Sequence, residues 1–160
     1  MIWTDDLAVL GKIALSAILG GLIGLERELA RKPAGLRTHI LVAGASTLLV
    51  AVGNIIVTRY PSPEYLRVDP VRIIEAIVVG ISFLGAGTII QRERGERVEG
   101  LTTAASILYT AAISVAVALE QMILAIGSAF FILVVNRLLG KFEDWMHSKV
   151  DDDKRAAKTK

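Results

Sequence analysis

"GLERELARKPAGLRTHILV", residues 24–42, decides the fold. A long apolar run stops at Glu26-Arg27-Glu28. About ten polar residues follow, and a second apolar run opens at Gly35-Leu36-Arg37-Thr38. So short a charged connector between two hydrophobic segments reads as the turn of a hairpin. Outward from it, the apolar residues fall into five blocks, 7–25, 40–57, 71–90, 101–119 and 121–139. Each block comes close to the roughly 20 residues a helix needs to cross a bilayer. Backbone polar groups in lipid must pair within their own segment, so the blocks are helices. The fold class expected is an all-α integral membrane protein of five transmembrane helices. A hydrophobic content of 53% and a mean hydropathy of +0.56 agree, since soluble domains of this size rarely reach them. Residues 1–140 form the transmembrane domain, and no second domain is expected.

Basic residues set orientation. The 26–39 connector holds Arg27, Arg31, Lys32 and Arg37, and the 91–100 connector holds Arg92, Arg94 and Arg97. Seven more lie from Arg137 onward, fourteen in all, against Arg59, Arg67 and Arg72 on the other side. The N-terminus is therefore expected outside and the C-terminus in the cytoplasm. "MIWTDD" at the start lacks a basic region, so the first block is expected to be a retained span. In the loop "TRYPSPEYLRVDP", Tyr60 and Tyr65 suit the headgroup belt. Asp69-Pro70 reads as an N-cap and first residue of the third span. After the fifth span, residues 141–160 read as a cytoplasmic amphipathic segment and a disordered polar tail. Leu138, Phe142, Trp145 and Met146 fall near one face of an interfacial helix. An extension of the fifth span is the alternative.

A shift of 65 lays the chain on itself. Arg27-Glu28 falls on Arg92-Glu93, Gly35-Leu36 on Gly100-Leu101, Thr38 on Thr103 and Leu19-Gly20 on Leu84-Gly85. The spaced match lies in polar connectors, where composition alone does not produce it. The reading is two duplicated helical hairpins, spans one–two and three–four, plus a fifth helix. In each copy Gly-Leu-x-Thr opens the returning helix. The partly positive helix start can attract an acid such as Glu28 or Glu93, or an anion. The candidate rim is therefore Glu26, Arg27, Glu28, Gly35, Arg37, Thr38, Arg92, Glu93, Gly100, Thr102 and Thr103. Charges that merely cap and anchor helix ends are the plainer reading.

Inside the spans, Gly20, Gly21 and Gly24 give a GxxxG spacing, and Gly80, Ser82, Gly85, Ala86 and Gly87 make a second small surface. Small faces let helices approach closely, so spans one and three are expected to cross there; a homodimer contact is the other use. Lys12 and Glu75 are the ionisable residues well inside spans. They are expected either to pair or, for Lys12, to snorkel.

Magnesium favours a few carboxylates and its own waters. The glutamates of the connectors are interleaved with basic residues, which suits a salt-bridged network or an acidic lipid headgroup better. Cys is absent, His39 and His147 are isolated, and no catalytic set is evident, so no metal, no cofactor and no enzyme activity are expected. Nothing suggests nucleic acid as a partner.

"GLIGLERELARKPAGLRTHILVAGASTLL" (21–49) and "GISFLGAGTIIQRERGERVEGLTTAASILYTAAI" (80–113) resemble the two signature blocks of the MgtC/SapB family of bacterial and archaeal membrane proteins. The resemblance covers spans one to four. It implies a cytoplasmic-membrane protein linked to growth in low magnesium and, in pathogens, to survival inside host cells. Members are generally thought to regulate other membrane machinery rather than carry the ion. One is similar to an inhibitor of the F-type ATP synthase. Longer members add a soluble domain resembling ACT modules, and roles that depend on it are not carried over to residues 1–160. Ser82 stands where the second block commonly has Gly, small for small.

Two functions follow as expectations. One is a non-catalytic regulator whose partners are the bilayer and another membrane protein or a second copy of itself. The other is a small ion or solute transporter with a gate at the connectors. A continuous polar stripe would favour the second, and Ser16, Ser46, Thr47, Asn54, Ser82, Thr110, Ser114 and Asn136 look too few.

Overall fold

The computed structural model describes the backbone of residues 2–59, 69–89 and 100–158, and the side chains of 6–58, 69–89 and 100–140. Five helices follow in order: α1 (Ile2–Leu29), α2 (Leu36–Arg59), α3 (Pro70–Thr88), α4 (Leu101–Ala118) and α5 (Met122–Lys158). Each contains a stretch long and apolar enough to cross a membrane: Asp6–Leu29, Leu36–Thr58, Pro70–Thr88, Leu101–Ala118 and Met122–Gly140. The chain is a multi-pass membrane protein.

The helix ends have local causes. Asp69 caps α3 as expected, its carboxylate accepting the Val71 N–H at 2.9 Å, with Pro70 at the first turn. At the end of α1 the Lys32 N–H reaches the Arg27 carbonyl and the Arg31 N–H reaches Glu28, with Arg31 at φ 54°. At the end of α4 the Gln121 N–H reaches Ala116 and the Glu120 N–H reaches Val117, with Glu120 at φ 63°. Both are Schellman closures with a left-handed residue that is not glycine. The charged stretch of residues 26–28 thus belongs to the last turn of α1 and residues 37–39 to the first turn of α2. Only residues 30–35 make the turn.

α4 sits at the centre and touches all four other helices, whereas among the described residues α3 touches only α2 and α4. One apolar cluster joins α1, α4 and α5 through Leu19, Ile23, Ile113, Val117, Ala125 and Ile132. A second joins α2, α3 and α4 through Val42, Val50, Ile77, Ile81, Ile107 and Ala111. The outward faces are apolar too: Phe83 is 82% exposed and Ile123 92%, which lipid tolerates and water does not. α5 runs on as one helix to Lys158, so the segment after residue 140 continues the fifth span without a break.

Spans one and three do not cross. α1 and α3 make no contact among the described residues. A Cβ on Gly20 would instead meet Ala43 Cβ at 2.7 Å and the His39 carbonyl at 2.8 Å on α2, and Thr110 on α4. Gly21 and Gly24 are buried against Leu36 and residues 39–40 of α2. A Cβ on Gly85 would meet Ala104 of α4. Gly20, Gly21 and Gly24 thus close the first hairpin, and Gly85 closes the second. The shift of 65 that takes Gly20 to Gly85 also takes His39 to Ala104, and the starts of α2 and α4, Leu36 and Leu101, to each other. Gly80 and Gly87 have nothing within 4 Å and face outward.

Candidate functional site

The end of the bundle that carries the 30–35 turn gathers most of the expected rim. Glu28 reaches back to α2, its Oε2 accepting the Leu36 N–H at 2.8 Å, so the acid does sit on the helix start. A Cβ on Gly35 would come within 2.8 Å of that same carboxylate, so a side chain there would push Glu28 away from the Leu36 N–H. Gly100, at φ 95°, begins α4, and a Cβ on it would overlap the Thr88 carbonyl oxygen. Arg37 and Thr102 are exposed, Thr38 is half-buried and Thr103 is buried. Arg92 and Glu93 lie outside the described residues.

Arg27 is the exception at this rim. It does not snorkel; its side chain is 4% exposed. Its Nη1 lies 3.8 Å from Glu26 Oε2, an oxygen that already accepts the Asn136 Nδ2–H at 3.0 Å. Its Nε and Nη2 have no hydrogen-bond partner among the described residues.

Behind Arg27 runs a buried polar seam between α1, α2 and α4. His39 is fully buried. Its Nδ1 lies 2.9 Å from the Gly35 carbonyl and its Nε2 lies 3.2 Å from Ser106 Oγ. Ser106 also reaches the Thr103 carbonyl at 2.9 Å, and its single proton serves one acceptor at a time. Thr110 donates to the Ser106 carbonyl and Ser114 to the Thr110 carbonyl. Thr47 donates to the Ser114 carbonyl at 3.2 Å and takes the Ser16 hydroxyl at 2.6 Å. Thr103, Ser106, Thr110 and Ser114 recur at spacings of three and four, one stripe of α4. The polar residues that looked too few are therefore gathered: Ser16, Ser46, Thr47, Thr110 and Ser114 join His39, Thr103 and Ser106, which sequence reasoning had assigned to caps or left alone. Asn54 and Ser82 stay exposed, Ser82 bonding the Val78 carbonyl of its own helix.

At the opposite end, Lys12 does not meet Glu75. Its Nζ lies 2.7 Å from Glu120 Oε1 and 3.4 Å from the Ala118 carbonyl. A cation there answers the free carbonyls at the end of α4. Glu75 is exposed on α3, a helix that α1 does not reach. The Lys12 ammonium holds the Glu120 carboxyl below its ordinary value by hydrogen bond and charge. Beside this pair lies a largely apolar cavity of about 600 Å³, to which Asn54 and Thr58 add the other polar groups.

A family model described as the MgtC family matches residues 13–145. The chain is 36% identical over 154 residues to Protein SapB of Bacillus subtilis, covering 95% of this chain and 63% of that one. It is 39% identical over 125 residues to an Escherichia coli K12 protein, YhiD, provisionally named a magnesium transporter, covering 78% and 57%. It is 39% identical over 140 residues to Protein MgtC of Brucella abortus, covering 87% and 54%. The chain thus spans between half and two-thirds of the length of these relatives. No solved structure matches it.

Proposed function

Because the chain belongs to the MgtC family, we propose that it serves magnesium or ion homeostasis as a non-catalytic regulator of other membrane machinery. One observation carries this reading over transport. The seam that would have to conduct is closed: its residues are at most 2% exposed, and the hydroxyls of Ser16, Thr47, Ser106, Thr110 and Ser114 are bonded to one another, to His39 or to helix carbonyls. An ion stripped of water needs a ring of oxygens turned toward it, and here the hydroxyls are turned to helix carbonyls and to one another.

The partner is another membrane protein or a second copy of the chain. The open glycines of α3, Gly80 and Gly87, suit close helix approach from outside. The excess of Arg and Lys at the two connectors and after residue 137 supports a cytoplasmic-membrane location with that end inside the cell.

The second reading is transport, which the continuity of the seam favours. Arg27, His39, Ser106, Thr110, Ser114, Thr47 and Ser16 link one end of the bundle to the neighbourhood of Lys12. Ion flux in proteoliposomes of the purified protein, under a magnesium gradient and a membrane potential, separates the two. Silence from folded, inserted protein is the expected result. Flux that Glu28→Gln and Glu93→Gln abolish would sink the regulator reading and make the connectors a gate.

A further inference from the structure

The two unpaired nitrogens of Arg27 lie on one edge of its guanidinium. Nε–H and the adjacent N–H of Nη2 point the same way, in plane, at the spacing of two oxygens on one carbon or phosphorus. That edge is the bidentate fork, and it is empty among the described residues while the far nitrogen, Nη1, faces Glu26. A buried guanidinium whose better edge has no acceptor is costly, and Arg27 is 3% exposed.

The start of α4 lies level with the position of Arg27 on α1. α1 and α4 run antiparallel, Lys12 meeting Ala118 and Gly20 meeting Thr110. Eight residues forward on α1 are thus eight residues back on α4, and Arg27 comes level with Thr103. The first intrahelical bond of α4 runs from the Ala104 N–H to the Gly100 carbonyl. The N–H groups of residues 101–103 therefore precede the ladder, and Gly100 has no side chain to cap them. Arg31 and Arg37 stand exposed at the same end.

We propose that Arg27 and the first turn of α4 form an oxyanion site for a phosphate group. A carboxylate is planar, so its lone pairs lie in the plane of the fork. A phosphate is tetrahedral, and its anionic oxygens also meet donors outside that plane, which the N-terminus of α4 supplies. The phosphate comes from an acidic phospholipid headgroup or from a soluble phosphate. The site shares the connector end with the regulator reading but does not depend on it, because binding is measured without any partner or flux.

The test uses the full chain, labelled with ¹⁵N at arginine, in maltoside micelles and phosphate-free buffer, with the Arg27 Nε resonance as the readout. Inorganic phosphate is titrated against chloride at constant ionic strength, and phosphatidylglycerol is added to a second sample. A saturable shift with inorganic phosphate supports the site with a soluble source. A shift with phosphatidylglycerol alone supports it with a lipid source. Arg27→Lys keeps the charge and loses the fork, so the ligand-induced rise in melting temperature should need about tenfold more ligand or vanish. Two results overturn the proposal. One is an Arg27 resonance that neither ligand moves in folded protein. The other is a rise in melting temperature that Arg27→Lys leaves intact. If the resonance stays still but moves on replacing Glu93, Glu96 and Glu99 with Gln, the chain's own carboxylates fill the fork.

Discussion

The two hairpins share a register and differ in what surrounds them. Helices α2 and α4 begin 65 residues apart in the chain, and the glycines of α1 and α3 meet their partner helices at positions related by the same shift. Yet α1 meets α2, α4 and α5, while α3 meets only α2 and α4 among the described residues. A helix surrounded on three sides must hold small residues wherever it meets a backbone. A helix with lipid on one side is free to hold them for another reason. Equivalent glycines should therefore tolerate a methyl group very unequally, and that inequality is the first way to break the comparison.

The largest effect is expected at Gly20. A methyl there meets a backbone carbonyl and Ala43 Cβ under 3.0 Å, and neither can swing away. Gly20→Ala should cost about 3 kcal/mol. At Gly85 the nearest atom is Ala104 Cβ at 3.2 Å, and Gly85→Ala should cost about 1 kcal/mol. Gly80→Ala meets nothing and should be neutral within the chain. Melting in detergent checks all three, and equal losses at Gly20 and Gly85 would contradict the asymmetry. A loss at Gly80 confined to a dimeric fraction would identify α3 as the interface between copies.

The second effect sharpens the contrast in polarity. The α4 stripe packs on the first hairpin, where Ser106 faces His39, and the equivalent position of the first repeat, Leu41, is exposed. Ser106→Ala leaves His39 Nε2 with nothing to bond and should cost about 1–2 kcal/mol. The conservative Ser106→Thr keeps the hydroxyl and should recover part of it if the extra methyl fits. A Ser106→Ala variant as stable as the parent would show that the seam is filled by something other than these pairs.

The five spans were legible because lipid allows only self-satisfied backbone, so apolar length alone marks them. The Glu28 cap and the Asp69–Pro70 start were legible because they are local chemistry. The seam is hidden because Ser and Thr are sparse along the chain taken singly, although Thr103, Ser106, Thr110 and Ser114 share a face at helical spacing. Their burial depends on which side of α4 meets α1 and α2, a tertiary fact. Arg27 was legible as a rim residue, but its burial was not. An arginine at a span end ordinarily snorkels, and only the extra turn of α1, ending at Leu29, carries it inward. The pairing of Lys12 was missed because Glu120 lies in a turn rather than in a span.

A third effect concerns the connectors. Glu28→Ala removes the acceptor for the Leu36 N–H and should cost about 1 kcal/mol. If the duplication extends to the turns, Glu93→Ala costs the same. A loss at Glu28 without one at Glu93 would limit the equivalence of the hairpins to their helices.

The smallest effect lies at the opposite end and depends on pH. Lys12 holds the Glu120 carboxyl below its ordinary value of 4.5, so folding draws on the charged form. The contribution is therefore fully present above that ordinary value and fades as the pH falls through the lowered one. Glu120 is 70% exposed on its side chain, so the effect is small and weakens with salt. Glu120→Gln should flatten the acid limb of the melting profile without moving its plateau far. Glu120→Gly differs in one respect. It loses the ion pair as well, but it removes the left-handed strain of a non-glycine residue at φ 63°. If Glu120→Gly melts above Glu120→Gln at neutral pH, the turn carries strain that the ion pair offsets. If the two melt alike, the Schellman closure holds residue 120 without strain.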